Sequence, residues 1–183
     1  METPMTASLP GDPTPRQRLE RMIRVDHAGE FGAAQIYAGQ LRVLGRGPKG
    51  DMLRHMQAQE QHHLDTFASL IADRRVRPTA LLPFWRVAGY ALGAITAAMG
   101  ERAAMACTVA VEEAIDEHYA QQAASLDDDE AGLRSVIETF RAEELEHRDI
   151  GLANEAELTV GYGVLTRVIK AGCKAAIAIS ERV

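Results

Sequence analysis

Residues 60–63 read EQHH and residues 144–147 read ELEH, and these two stretches decide the fold. Each is a Glu-x-x-His: Glu60 with His63, and Glu144 with His147. A lone glutamate precedes each one. Glu30 stands 30 residues before Glu60, and Glu112 stands 32 residues before Glu144. Side chains three apart on a helix share a face, so each motif presents a carboxylate and an imidazole together. One Glu from each of two helices, with Glu-x-x-His from each of two more, is the set that holds two irons or manganeses inside a four-helix bundle. The residue types suit that task. Carboxylates are hard oxygen ligands able to bridge two metals, and imidazole suits iron. Four ionised glutamates in an apolar interior would repel one another and be poorly solvated. Two divalent ions cancel their charge. A single Glu-x-x-His is weak evidence, because helices are rich in Glu. The doubled spacing in the same order is specific.

Working outward, apolar residues at helical spacing predict a helix over 16–44, with Glu30 inside its stripe and Gly29 and Gly32 placed for close approach of a neighbouring helix. A second helix is expected over Asp51–Ile71, with His55 at the surface and His62 either facing solvent or standing behind the ligands. A third bundle helix runs from Glu101 to Ser125. In it Glu112, rather than Glu113, lies nearer the apolar side, and Tyr119 follows two turns later on the same face. That tyrosine is either within reach of the metal ligands or a core residue. Asp127–Asp129 is a loop or an acidic helix start. A fourth bundle helix runs from Glu130 past Asp149, with Glu146 outside. There Glu143 is also spaced to pair with His147, but Glu144 repeats the first motif's spacing. Gly161 and Gly163 then break the chain before a last amphipathic helix.

The stretch 80–100 has a different texture. Its only charge is Arg86, it holds Trp85 and Tyr90, and Gly89 and Gly93 form a small-x-x-x-small pair. The uncharged run 87–100 is 14 residues, short of the ~20 a transmembrane helix needs. It suits an interfacial helix at a membrane surface, where Trp and Tyr are favoured. The alternative is an ordinary core helix forming the long crossover between the two helix pairs.

At 183 residues, 46% hydrophobic and 25% charged, the chain has ample length for one sizeable core, expected over 16–183. The net charge of −6 argues against a nucleic-acid binder. Cys107 and Cys173, without a Cys-x-x-Cys, fit buried thiols better than a disulfide framework. Residues 1–15, with four prolines and no apolar core, read as a disordered lead-in, neither a secretory signal nor a transit peptide. The sequence has no P-loop, zinc-finger, Gly-x-Ser-x-Gly or dinucleotide-binding motif.

Four stretches carry a closer resemblance: VDHAGEFGAAQIYAGQ (25–40), QEQHHLD (59–65), ACTVAVEEAIDEHY (106–119) and FRAEELEHRDIGL (140–152). They are similar to the demethoxyubiquinone hydroxylases of ubiquinone biosynthesis, and the similarity runs from about Arg21 to the end. The resemblance implies an all-α, ferritin-like four-helix bundle with an apolar crossover helix and an extra C-terminal helix. It implies two Fe ions per chain, bridged by carboxylate, on Glu30, Glu60, His63, Glu112, Glu144 and His147. It also places the family's tyrosine near the metals on Tyr119, although the family's His-His-Tyr reads Glu117-His118-Tyr119 here.

The implied activity is an O2-dependent monooxygenase converting demethoxyubiquinol to demethylubiquinol, with a polyprenyl quinone as substrate. Its electrons would come through the reduced quinone itself or from NADH. Peripheral attachment to a membrane surface is implied. Lacking the mitochondrial members' leader, the chain is expected on the cytoplasmic side of a bacterial cell membrane. A homodimer or a complex of ubiquinone-biosynthesis proteins is the expected partner. Two rival readings stand beside this one: a ferritin-type ferroxidase handling iron, and a membrane-attached scaffold whose glutamates are incidental. The apolar segment 80–100 counts against the ferroxidase, which needs a hydrophilic exterior.

Overall fold

The computed structural model describes residues 11–183. Most of the lead-in expected over 1–15 lies outside the described residues. Six α-helices follow in order: α1 (Pro15–Leu44), α2 (Gly50–Asp73), α3 (Leu82–Ala98), α4 (Glu101–Ser125), α5 (Ala131–Ala153) and α6 (Tyr162–Ser180). Short 3-10 turns at Asp128–Glu130 and Ala156–Leu158 flank α5, so the acidic run leads into α5 rather than opening it. No strand occurs among the described residues. α1 begins one residue earlier than its apolar stripe suggests. Pro15 occupies the first turn, and Thr14 and Gln17 form a reciprocal capping box, a device worth about 1 kcal/mol.

The ferritin-like bundle consists of α1, α2, α4 and α5. α1 packs on α2, and α4 packs on α5, each pair joined by a short connection that makes it antiparallel. α3 makes the crossover and lies along the outer side of α1, while α6 lies along α4. Enclosed from several sides, α4 is buried without interruption from residue 103 to 112. A helix buried all round carries no amphipathic pattern.

The junction of α3 and α4 turns on Gly100, whose φ of +123° suits glycine alone. Along α3, glycines set the distance to α1. A methyl group built at Gly93 would lie 1.9 Å from the Ile36 carbonyl oxygen, and one at Gly39 would lie 2.2 Å from that of Tyr90. The small-x-x-x-small pair is thus a helix–helix seam. α3 does come close to α1 at Gly32, where a methyl built at Gly89 would lie 2.7 Å from the Gly32 carbonyl oxygen, but neither Gly29 nor Gly32 owes this approach to its own missing side chain. A methyl at either would meet nothing within 4 Å, because their open side faces a groove rather than a packed helix. Gly163, expected as a second break, lies inside the first turn of α6, and Gly161 alone breaks the chain.

Two apolar clusters bracket the middle of the bundle. One gathers Tyr37, Leu53, Met56, Met105 and Val109; the other gathers Ile23, Phe67, Tyr119, Ile137 and Phe140. Cys107 is buried and Cys173 half-buried, and both are free thiols.

Candidate metal centre

All six residues singled out by spacing converge between the two apolar clusters. Glu30 comes from α1, Glu60 and His63 from α2, Glu112 from α4, and Glu144 and His147 from α5. None is more than 1% exposed. They fall into two overlapping groups. One donor atom from each of Glu30, Glu60, His63 and Glu144 lies within 4.8 Å of the others, and the same holds for Glu60, Glu112, Glu144 and His147. Glu60 and Glu144 belong to both groups.

The donor atoms are left wanting a partner. Both oxygens of Glu60, Oε2 of Glu30, Glu112 and Glu144, and Nδ1 of His147 are buried without a hydrogen bond. His147 Nδ1 does approach Glu60 Oε1 to 3.1 Å, but without hydrogen-bond geometry. Buried polar atoms are normally satisfied, and exceptions call for a cause. A pair of divalent cations fits these carboxylates and imidazoles in number, charge and type.

The electrostatics agree. Burial, then the charges of Glu144 and Glu30, push Glu60 well above the ordinary carboxylate range. Burial, then Glu144 and Glu60, do the same to Glu112. Glu30 is raised by burial as well. Burial works against Glu144 too, yet the imidazoles of His147 and His63 beside it hold it at about 2. Burial alone would lower His63, but the carboxylates of Glu144 and Glu30 beside its ring push it up to about 12.

The neighbours hold these groups in place. Tyr119, buried, donates its hydroxyl to Glu30 Oε1, so it is both a core residue and a partner of the site. Tyr37 donates to Glu112 Oε1 at 2.7 Å. Burial and neighbouring glutamates raise both phenols well above their ordinary range, so both remain protonated donors. Phe140 stacks on the His63 ring with centroids 3.9 Å apart. Glu143 pairs with His63 rather than His147: its Oε2 lies 2.6 Å from His63 Nε2. Gln59 Oε1 stands 3.1 Å from His147 Nε2. Glu113 points outward to an ion pair with Lys170, which leaves Glu112 inside as expected. Glu117 likewise pairs outward with Lys174 at 2.7 Å. His62, His55 and Glu146 are exposed.

Sequence reasoning missed Tyr37, Gln59 and the partner of Glu143. A signal for the first was present: Tyr37 follows Glu30 by the seven residues that separate Tyr119 from Glu112. The other two needed the antiparallel crossing of α2 and α5.

Beside the centre runs a groove of about 400 Å³ between α1, α3, α4 and α6. Its lining includes Gly29, Gly32, Ala88, Ile115, Gly172 and Ala176, and no charged side chain. Gly29 and Val111 flank Glu30 and Glu112 in sequence, so the groove follows the back of the two lone-glutamate helices.

Comparison with known proteins gives the same direction. Residues 17–180 match the family model described as Ubiquinone biosynthesis protein COQ7. The chain is 60% identical over 176 residues to the 3-demethoxyubiquinol 3-hydroxylase of Rhodospirillum rubrum, covering 96% of this chain and 83% of that one. It is 52% identical over 171 residues to the human protein named NADPH-dependent 3-demethoxyubiquinone 3-hydroxylase, mitochondrial, covering 91% and 79%. It is 42% identical over 182 residues to the Saccharomyces cerevisiae 5-demethoxyubiquinone hydroxylase, covering 90% and 78%.

Proposed function

This chain belongs to the family of the ubiquinone biosynthesis protein COQ7, and from that premise we propose that it hydroxylates the ring of 3-demethoxyubiquinol. One atom of O2 enters a ring C–H bond and the other leaves as water, with two electrons and two protons consumed. The observation that carries the reading is the pair of overlapping donor groups sharing Glu60 and Glu144, set beside an uncharged groove. Iron is the proposed metal. Glu30, Glu60, His63 and Glu144 would hold one ion, and Glu60, Glu112, Glu144 and His147 the other. When bound, the two irons supply the activation of O2.

The rest is done by the protein's own residues. Tyr37 and Tyr119, kept protonated, fix the orientation of Glu112 and Glu30. The apolar clusters on either side exclude water, which protects reactive species from side reactions. The groove receives the quinone by apolar contact, as most small-molecule sites do. A reduced nicotinamide is the proposed electron source, in line with the human relative's name. Incubation with reduced demethoxyquinone and isotopically labelled O2, read by mass spectrometry, tests the activity. The expected product carries one labelled oxygen; an iron-loaded protein that adds none would refute the reading.

Gly172 offers a test of the groove alone. It lines the cavity, and a side chain there meets nothing within 4 Å. Gly172→Phe is expected to raise the KM for the quinone about tenfold, a loss of about 1.4 kcal/mol of apolar contact. Metal content should stay as in the wild type. Unchanged KM would move the substrate elsewhere.

The groove's flanking helices also offer a route from a lipid phase. α3 and α6 expose Phe84, Val87, Val164 and Val168, each 59% or more accessible. No helix among the described residues is long and apolar enough to cross a membrane. Exposed apolar faces of this kind suit peripheral attachment. The protein is expected to co-sediment with phospholipid vesicles, and Val87→Asp with Val164→Asp to release it. Binding that survives both changes would contradict attachment through α3 and α6.

A further inference from the structure

The two halves of the centre repeat each other closely. A tyrosine seven residues after each lone glutamate donates to the other half's lone glutamate. A glutamine ten residues after each donates across the same seam: Gln40 to Thr108 at 3.3 Å, Gln122 to Asp26 at 2.7 Å. The residue before each motif glutamate meets the other motif's histidine. Here the repetition fails. His147 faces the amide oxygen of Gln59 at 3.1 Å, whereas His63 faces the carboxylate of Glu143 at 2.6 Å. A second exchange has the same sense, since Asp26 stands where the other half has Thr108.

The difference has a chemical consequence. His63 turns Nδ1 toward Glu30 and Glu144, at 3.4 and 3.1 Å; with Nδ1 given to a metal, the proton would sit on Nε2, 2.6 Å from Glu143. A hydrogen bond to a carboxylate is about twice as strong as one to a neutral acceptor. It also fixes the ring and makes the imidazole a stronger metal donor. Gln59 fixes the other ring without adding charge.

We propose that the two metal positions are unequal, and that Glu143 makes the Glu30–His63 position the tighter one and the first to fill. This rests on the dinuclear reading given above and concerns how its two halves differ. Glu143 is a positioning residue acting through His63.

The test is calorimetric titration of the metal-free full-length protein with Fe(II) under anaerobic conditions, with Mössbauer spectra of the loaded ferrous protein. The wild type should take up iron in two separable steps and show two distinct ferrous environments. Glu143→Gln should weaken the first step about 10- to 100-fold, merge it with the second, and draw the two environments together. Gln59→Glu, which leaves Glu143 in place, should tighten the second step instead. This variant decides the matter if Glu143→Gln fails to fold. Equal steps in the wild type, or steps indifferent to both substitutions, would overturn the inequality while leaving the dinuclear centre standing. A folded wild type that takes up no iron would overturn the centre itself.

Discussion

Glu144→Gln is expected to empty both metal positions. The carboxylate belongs to both donor groups, lies fully buried, and is tied to His63 and His147. Losing a group that merely orients a ligand costs about 10- to 100-fold in affinity or activity. Losing a ligand common to both positions should therefore cost more than about 100-fold in hydroxylation. Iron per chain after anaerobic reconstitution should fall from two toward zero. Glu112→Gln is the control, because Glu112 belongs to one group only. It should reduce uptake to about half. Glu144→Gln protein with wild-type iron content would remove Glu144 from the shared position.

Gly93→Ala is expected to be the most damaging single methyl group outside the centre. Alanine favours a helix over glycine by about 1 kcal/mol, so an unconstrained site would be stabilised. Here the added carbon would lie 1.9 Å from the backbone oxygen of Ile36. Backbone atoms in a packed helix cannot rotate away as a flexible side chain would, so the helices must separate. Overpacking costs about 1–3 kcal/mol, occasionally more. The upper end applies, leaving a net loss of about 2 kcal/mol after the helix gain. For a protein of this size that lowers Tm by about 4–8 °C. Because α1 and α3 also wall the groove, KM for the quinone should rise while iron content holds. A calorimetric Tm equal to the wild type's would show that α3 is not held at this distance.

The convergence of the six donor residues was legible in the sequence to an unusual degree, and for a physical reason. Six donors fixed on four helices must recur at helical spacing, and burial in a dry interior leaves few other tasks for four glutamates. Helix limits were legible where chemistry marks them, as at Gly45–Gly50 and at Gly100. What stayed hidden was everything settled between elements. Tyr37 sits in an apolar stripe and resembles any core tyrosine until α4 brings Glu112 to it. The outward Glu113 and inward Glu112 separated on pattern alone. Glu143 did not, because its true partner lies 80 residues away. Segment 80–100 was legible as apolar, but not that its glycines are a seam with α1 while Gly29 and Gly32 open onto a groove. Spacing gives a face; it does not say what meets that face.

The pairing of α1 with α2 and of α4 with α5 has one more consequence. Each hairpin closes a short local loop, which costs little chain entropy. The contacts that join the hairpins span far more chain, 75 residues for Tyr37–Glu112 and 96 for Asp26–Gln122. Neither hairpin owns a complete donor group, since each group draws from both. A metal ion held by all four donors of either group would take three from one hairpin and one from the other. The last donor of each group would be engaged only when the two hairpins have come together, so bound ions would act as a clasp between them.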